Sequence, residues 1–178
     1  MKRLIIITGQ LAAGKSTLAD SLSKELGVLA IKKDTIKERL CDLFGFSNRE
    51  ENLKLSYAAV DQMFHILQRS VEAKQDLILE ANFRSEQIEQ IQRIIKDKDY
   101  KVILIMLVGD KKILFERFNQ RIPTRHKAHL SMHLNEDYDS FCKYQDDLIK
   151  GNFIFPKLEI DITDKTIDEV KNIVLENL

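Results

Sequence analysis

Residues 9–16 read GQLAAGKS, and this stretch is the strongest motif in the chain. It fits the pattern GxxxxGK[ST] at every position. Glycines let a backbone turn tightly and point successive N–H groups inward, and a helix that begins where the turn ends adds its positive pole. The pattern predicts a loop for the phosphates of a nucleoside triphosphate, with Lys15 on the β- and γ-phosphates and the Ser16 hydroxyl on Mg²⁺. The residues predicted to bind the nucleotide here are Gly9, Gln10, Leu11, Ala12, Ala13, Gly14, Lys15, Ser16 and Thr17.

The sequence on either side of the loop favours this prediction over an ordinary glycine-containing turn, which needs neither the lysine nor the serine. Residues 4–7 read LIII, a continuous apolar run that is typical of a strand buried on both faces of a parallel sheet. After the loop, Leu18, Leu22 and Leu26 lie four residues apart on one helix face, and Gly27 ends that helix.

The rest of the chain alternates between strand and helix patterns. Short apolar runs predict strands at residues 28–31, 76–80, 100–108 and 158–162. Apolar residues three or four apart predict helices at residues 34–43, 50–74, 88–95, 111–121, 136–149 and from 167 onward. Pro123 ends the fourth of these helices near Arg121. The alternation predicts one α/β domain over residues 1–178 with a mostly parallel sheet.

The composition narrows the classes of function. The 28 basic and 28 acidic residues cancel, so a generally basic surface for nucleic acid is not indicated. Cys41 and Cys142 have neither metal-like nor redox-like spacing, and we expect two free, reduced thiols in helices. The apolar run near the start is too short for a signal peptide or a membrane span, which predicts a soluble, cytoplasmic protein with no membrane partner. Nothing in the sequence indicates an oligomeric state.

Three further segments resemble one group of P-loop kinases: Asp34 after the second strand, DLILEANF at residues 76–83, and RFNQRIPTRHKAH at residues 117–129. With the loop, they make the chain similar to the AAA-type small kinases that include the chloramphenicol phosphotransferase-like, zeta-toxin-like and polynucleotide-kinase-like proteins. The resemblance covers most of the chain. It implies a three-layer P-loop NTPase fold, with five strands in the order 2-3-1-4-5, helices on both faces and a lid. Many relatives carry glycine in place of Ala12, and the pair Ala12-Ala13 looks closer to the Ser-Ala form of the phosphotransferase-like members.

The expected nucleotide is ATP, bound together with Mg²⁺. A GTPase needs an NKxD-type segment after a late strand to specify guanine, and the nearest candidate, residues 162–165, reads ITDK. The resemblance implies a reaction in which the γ-phosphoryl of ATP moves to a hydroxyl of a small molecule. The contributing helices carry no motif that identifies this acceptor.

Two acidic residues are candidates for work at the phosphoryl group. In the strand order that the resemblance implies, Asp34 follows a strand two places from the loop strand, about 10 Å away at about 4.8 Å per strand. From there its carboxylate would orient and deprotonate the acceptor hydroxyl, although Asp34 also suits the N-cap of the next helix. Glu80 ends the strand beside the loop strand and would hold Mg²⁺ through a water; the alternative is that Glu80 or Asn82 caps the following helix. Which of the two carboxylates lies on the magnesium side stays open.

Residues 110–133 are predicted to form a basic lid over the triphosphate. Arg117 and Arg121 lie four residues apart on one helix face, and Arg125 follows on a loop. Guanidinium groups make planar, bidentate contacts with phosphate, so we expect Arg121 and Arg125 to act in catalysis and Arg117 to contact the nucleotide. A solvated, charged helix face is the alternative. Residues 44–75 are the expected helical insertion on the acceptor side.

His126, His129 and His133 form an HxxHxxxH array within the predicted lid. Zinc binding is one interpretation, because imidazoles are zinc ligands. No carboxylate or cysteine lies nearby at useful spacing, and the position in the lid accounts for these histidines better than a metal does.

Three functions therefore stay open, led by a kinase for a small hydroxyl compound. A 5′-hydroxyl polynucleotide kinase performs the same chemistry but needs a basic channel and often aromatic platforms, whereas this chain has no Trp and a net charge of zero. A nucleotide-dependent switch without an acceptor would keep Lys15 and Ser16 and have no use for Asp34.

Overall fold

A five-stranded sheet organises the chain, of which the computed structural model describes residues 1–151 and 153–178, without the side chains of Met132 and His133. The strands are β1 (Lys2–Gly9), β2 (Ala30–Lys32), β3 (Leu77–Glu80), β4 (Tyr100–Val108) and β5 (Lys157–Asp161). The α-helices are α1 (Lys15–Leu26), α2 (Lys33–Phe44), α3 (Arg49–Glu72), α4 (Ser85–Ile95), α5 (Lys111–Arg121), α6 (Tyr138–Ile149) and α7 (Ile167–Leu175). Short 3₁₀ helices cover Ile122–Thr124 and Leu130–Asn135.

The strand order is β2-β3-β1-β4-β5, and every neighbouring pair is parallel. This confirms the predicted α/β fold of the P-loop NTPases with strand order 2-3-1-4-5. Parallel strands end at the same edge of a sheet, so the carboxyl ends of β1, β2 and β3 lie side by side. Ligands of open α/β sheets bind at this edge, and the site described below forms there.

The apolar run of β1 is buried on both faces of the sheet, as predicted. Ile5 and Ile7 belong to a core cluster that joins the sheet to α1, α5, α6 and α7. Leu4 and Ile6 belong to a second cluster, on the opposite face, with α3 and α4. Burying each of these side chains stabilises the fold by about 1.5–3 kcal/mol. The central strand is thereby held in place between two layers of helices.

The second strand begins two residues later than predicted, at Ala30. Gly27 ends α1 with φ +64°, and the N–H groups of Gly27 and Val28 both donate to the carbonyl oxygen of Ser23. The Ser23 hydroxyl donates in turn to the carbonyl oxygen of Val28 at 2.7 Å. Val28 is therefore part of the C-terminal cap of α1, although its apolar character is typical of a strand.

The start of α2 corrects one interpretation of Asp34. The helix begins at Lys33, and its N-cap is Lys32, the last residue of β2. Because strand and helix join without a loop, Asp34 falls inside the first helical turn. The proposal that Asp34 is the N-cap is wrong, and its carboxylate is not used for capping.

Several other local predictions agree with the structure. The helix α5 ends at Arg121, just before the 3₁₀ helix that contains Pro123. Cys41, buried in α2, and Cys142, in α6, are free thiols. Within the described residues, none of the helices has the length and apolar character that a bilayer crossing requires.

Candidate active site

The loop between β1 and α1 requires both glycines of the motif. Gly9 has φ +126°, and a Cβ built on it would lie 2.1 Å from the carbonyl oxygen of Leu107 in β4. Any side chain at this position would collide with the neighbouring strand. Gly14 has φ +84°, in the left-handed region that glycine adopts without steric cost.

The backbone of Ala12 adopts a conformation that favours glycine. Ala12 has φ +61°, a left-handed conformation that costs a residue with a Cβ about 1–2 kcal/mol. Such left-handed turns help to direct successive amides toward one point and so form an anion-binding concavity. The chain keeps this geometry with alanine, at a small cost in stability.

The amino-terminal end of α1 is open toward an anion. The helix begins at Lys15, its N-cap is Gly14, and no side chain caps it. The first four amides of a helix have no carbonyl partner within the helix, and here the first N–H to bond back is that of Leu18, to Gly14 at 2.9 Å. Unpartnered amides at the positive end of a helix dipole bind phosphate well. These residues fit the phosphates of a nucleotide.

Lys15 lies over this loop. Its side chain is only 8% exposed, and its Nζ donates to the carbonyl oxygen of Gln10 at 2.6 Å. Burial lowers the pKa of Lys15, and the nearby carboxylates of Glu80 and Asp34 oppose this shift. The ammonium group is thus held at the edge of the phosphate loop, with acidic groups beside it.

Ser16 and Glu80 form the candidate magnesium site. The Ser16 hydroxyl donates to Glu80 Oε2 at 3.1 Å, across the gap between α1 and β3. Glu80 pairs in register with Ile7 of β1 and is 5% exposed. Burial raises the pKa of Glu80, whereas Lys15 and the hydrogen bond from Ser16 oppose the rise. A hydroxyl and a carboxylate are the oxygen ligands that Mg²⁺ combines with waters, so this pair fits the ion.

The alternative that Glu80 or Asn82 caps α4 is wrong. The N-cap of α4 is Arg84, whose backbone N–H donates to the side chain of Gln87 at 3.0 Å. Glu80 is therefore not used as a helix cap, and its carboxylate faces Ser16.

Two glutamines that the sequence analysis does not single out as supports hold the loop in shape. The side-chain oxygen of Gln10 accepts from the N–H of Gly109 at 2.8 Å. Gln145 of α6, which is 0% exposed, accepts from the N–H of Leu11 at 2.7 Å and donates to its carbonyl oxygen at 3.1 Å. The one sequence signal for Gln145 is its spacing of four residues from the buried Phe141, which puts a polar residue on an apolar helix face.

Asp34 lies at the first turn of α2 with its side chain half-exposed. Its Oδ1 is 3.1 Å from Nζ of Lys33, and its Oδ2 is 3.8 Å from Nδ1 of His129. Burial would raise the pKa of Asp34, but the charges of Lys33 and His129 outweigh it, and the pKa falls below its usual value. Asp34 is therefore held as a carboxylate, the form that accepts a proton.

One cavity of about 620 Å³ brings these groups together. Ser16, Asp34 and Glu80 all line it. The Lys15 ammonium lies on the carbonyl oxygen of Gln10, near enough for the charges of Glu80 and Asp34 to raise its pKa against the effect of burial. The structure thus gathers residues from the ends of β1, β2 and β3 around one open space.

The three arginines of the predicted lid differ in position. Arg121 and Arg125 line the cavity, whereas Arg117 is not among the described residues that line it. The Arg125 guanidinium lies 5.0 Å from the ring centre of the buried Phe118, and its Nη2 donates to Ser131 at 3.3 Å. A cation over an aromatic face is held in a defined position, so Arg125 is oriented before any ligand binds.

A comparison with known protein families identifies the family of the chain. A family profile described as an AAA domain matches residues 4–139. The chain belongs to this AAA domain family. The matched residues run from β1 to the start of α6, and they include the phosphate loop, Asp34, Glu80 and the three arginines of the predicted lid. No curated protein matches the chain.

Solved structures similar to this AAA domain family member share its fold over nearly the full length. A protein from Chloroflexus aurantiacus j-10-fl, provisionally named a kinase, is 27% identical with a TM-score of 0.84, covering 99% of this chain and 98% of that one. A gluconokinase from Sinorhizobium meliloti 1021 is 11% identical with a TM-score of 0.61, covering 97% and 89%. The APS kinase of Mycobacterium tuberculosis, solved with AMPPNP and APS, is 15% identical with a TM-score of 0.60, covering 98% and 96%.

Two of the three histidines connect the predicted lid of this AAA domain family member to α2. His126 Nε2 lies 3.1 Å from Oδ1 of Asp42, and His129 Nε2 lies 2.6 Å from Oε1 of Glu38. Both carboxylates come from a helix that is distant in sequence, so the spacing around the histidines does not reveal them. Within the described residues there is no cluster suited to a metal ion, and the side chain of His133 lies outside them.

The helix α3 helps to hold α2 and the predicted lid together. Its buried Asn52 accepts from Lys37 Nζ at 2.8 Å and donates to the carbonyl oxygen of Ala128 at 3.0 Å. Lys37 donates to the same carbonyl at 2.9 Å. Among the residues that the structure describes, none from α3 lines the cavity. That residues 44–75 cover the acceptor stays a prediction.

Proposed function

We propose that this AAA domain family member is a Mg²⁺-dependent kinase that moves the γ-phosphoryl of ATP to a hydroxyl of a small molecule. The observation that carries the proposal is the position of Asp34 in the same cavity as Ser16, Glu80 and two arginines. A nucleotide-binding switch without an acceptor has no use for this carboxylate. The similar structures that are named as a gluconokinase and an APS kinase support phosphoryl transfer.

On the donor side, residues 9–17 bind the nucleotide. The open amides at the start of α1 contact the phosphate oxygens, and Lys15 moves from the Gln10 carbonyl to the β- and γ-phosphates. Ser16 and Glu80 hold Mg²⁺, which supplies positive charge next to the phosphates.

On the acceptor side, Asp34 orients the substrate hydroxyl and accepts its proton. As the hydroxyl oxygen forms its bond to the γ-phosphorus, the O–H bond breaks and the proton passes to the Asp34 carboxylate. The bond from the γ-phosphorus to the bridging oxygen breaks, and ADP leaves with that electron pair. Because the pKa of Asp34 is held low by Lys33 and His129 against the effect of burial, the carboxylate is ready to accept at neutral pH.

The segment of residues 110–133 acts as the lid in this proposal. Arg121 and Arg125 contact the phosphoryl group in transit, where guanidinium groups stabilise the charge on its oxygens. Arg117, one helical turn before Arg121, contacts the nucleotide when the lid closes.

The lining of the cavity favours a small, polar acceptor over a nucleic acid strand. Beyond Asp34, the acceptor side is formed by Thr35, Glu38 and two histidines, which gives it no excess of positive charge. Phe118 is the one aromatic residue among the described lining residues, and it is 1% exposed. Binding to single strands depends on a basic groove and exposed aromatic faces, and the described lining has neither.

An ATP-consumption screen over a library of hydroxyl compounds tests the proposal. The library holds sugars, nucleosides, antibiotics and metabolites, and one arm holds short DNA and RNA strands with 5′-hydroxyl ends, at low and high salt. We expect one class of small compound to stimulate ATP turnover and to gain the mass of one phosphoryl group. Oligonucleotides are expected to have no effect at either salt concentration.

Two outcomes would contradict the proposal. Salt-sensitive phosphorylation of the oligonucleotides would assign the chain to the polynucleotide kinases, because phosphate contacts weaken steeply with salt. Tight ATP binding with no phosphorylated product in any arm would favour a switch.

A further inference from the structure

Three carboxylates form a stripe along one face of α2. Asp34, Glu38 and Asp42 follow each other at intervals of four residues, which places them one above the other on the helix. The stripe meets two histidines of the lid segment: His126 on Asp42, and His129 on Glu38. Of these two histidines, only His129 also lies near Asp34.

The ring of His129 lies between two carboxylates. Its Nε2 is 2.6 Å from Oε1 of Glu38, and its Nδ1 is 3.8 Å from Oδ2 of Asp34. The side chain is 11% exposed, so the ring is held by its surroundings. A carboxylate can only accept hydrogen bonds, so Nε2 donates to Glu38, whereas the separation of Nδ1 from Asp34 is an ion-pair distance and not a hydrogen bond.

We infer that His129 is a positioning residue for Asp34: Glu38 fixes the ring through Nε2, and the opposite edge of the ring holds the Asp34 carboxylate in place in the cavity. The inference rests on the proposed function, since it assigns a task within the same phosphoryl transfer. It also gives the lid segment a second task, because His129 of this segment lies beside Asp34 and forms part of the acceptor site.

Three cationic side chains besides His129 also act on the Asp34 carboxylate. Lys33 faces it from the same helix at 3.1 Å, and Arg125 and Lys15 act on it from the lid and from α1. Lys33 provides charge but is next to Asp34 in sequence, at the end of a flexible chain. The ring of His129 is instead anchored at its far side, so it restricts the direction of the carboxylate.

The contact between His126 and Asp42 offers a matched control. It also joins the lid segment to α2, and Ala128 N–H donates to His126 Nδ1 at 3.1 Å, so both ring nitrogens of His126 are engaged. Asp42 is 59% exposed and does not line the cavity. If His129 served only to dock the lid, removing either contact would have the same consequence.

The test compares H129N, E38Q and the control D42N. The ¹³C NMR signal of the Asp34 side-chain carboxyl is followed against pH in each variant, and kcat is measured against pH with the acceptor that the screen identifies.

The removal of a charge about 4 Å from a half-exposed carboxylate changes its proton affinity by about 10-fold. In H129N we expect Asp34 to titrate at higher pH by about that factor, and the acidic limb of kcat to move with it. A misdirected carboxylate also lowers the plateau of kcat by about 10- to 100-fold, with KM for ATP within about twofold.

Each result decides the matter. E38Q should reproduce the loss of kcat at the plateau, while D42N should leave the titration of Asp34 and kcat as in the wild type. An Asp34 titration that does not change in H129N, or a D42N variant with the same losses, overturns the inference. A shifted titration with an unchanged kcat profile would show that Asp34 takes no part in the reaction, which removes the catalytic role of Asp34 from the proposed function and the role of His129 with it.

Discussion

D34N is expected to lower kcat by about 10²–10⁴-fold while the Kd for ATP stays within about twofold of the wild-type value. The amide has nearly the shape of the carboxylate, so it preserves the first turn of α2. The amide cannot accept the proton of the acceptor hydroxyl, so phosphoryl transfer is affected and ATP binding is not. The Kd is measured by calorimetry with a non-hydrolysable ATP analogue, and kcat with the acceptor from the screen.

D20N is the matched control for this variant. Asp20 is an exposed carboxylate on α1 whose partner is Lys32, at 2.7 Å, and it does not line the cavity. The same loss of charge at this position should leave kcat unchanged. If D34N turned over the acceptor at the wild-type rate, Asp34 would have no place in the mechanism.

K15A is expected to weaken ATP binding by about 100-fold or more and to abolish measurable turnover. Hydrogen bonds to charged groups contribute about 1.5–3 kcal/mol each, and Lys15 is placed to make them with two phosphates. The fold should remain, because the core side chains of α1, such as Leu18 and Leu22, are not touched. Thermal unfolding of the free protein checks this point, and calorimetry measures the loss of affinity.

K24A serves as the control for K15A. Lys24 is an exposed lysine in the last turn of the same helix, whereas the phosphate loop precedes its first turn. We expect its removal to leave the Kd for ATP unchanged. Equal effects in both variants, or wild-type binding in K15A, would contradict the assignment of the phosphate site.

The elements with strong local signals are predictable from the sequence. β4 occupies residues 100–108 as predicted, because its nine mostly apolar residues suit a strand paired on both sides, here with β1 and β5. α5 ends at Arg121, since Pro123 cannot continue a helix. The phosphate loop and the neighbouring position of Glu80 follow from the motif and from the strand order that the resemblance implies.

The contacts between distant segments are not predictable in this way. Gln145 reaches Leu11 across 134 residues, and His129 reaches Glu38 across 91. Each is an ordinary polar side chain on a helix or a loop until the tertiary fold brings its partner to it. The second strand shows a related difficulty, because the apolar Val28 is bound by the C-terminal cap of α1 rather than by the sheet.

The claim that supports all others is that the amides of residues 9–17 surround the terminal phosphates of a nucleotide. Calorimetric titration of the wild-type protein with ATP, ADP and AMP, each in the presence of Mg²⁺, tests it most directly. We predict that ATP and ADP bind and that AMP binds at least about 100-fold more weakly than ADP, because AMP lacks the β-phosphate that the loop holds. Equal affinity for AMP and ADP, or no binding of ATP, would contradict the account.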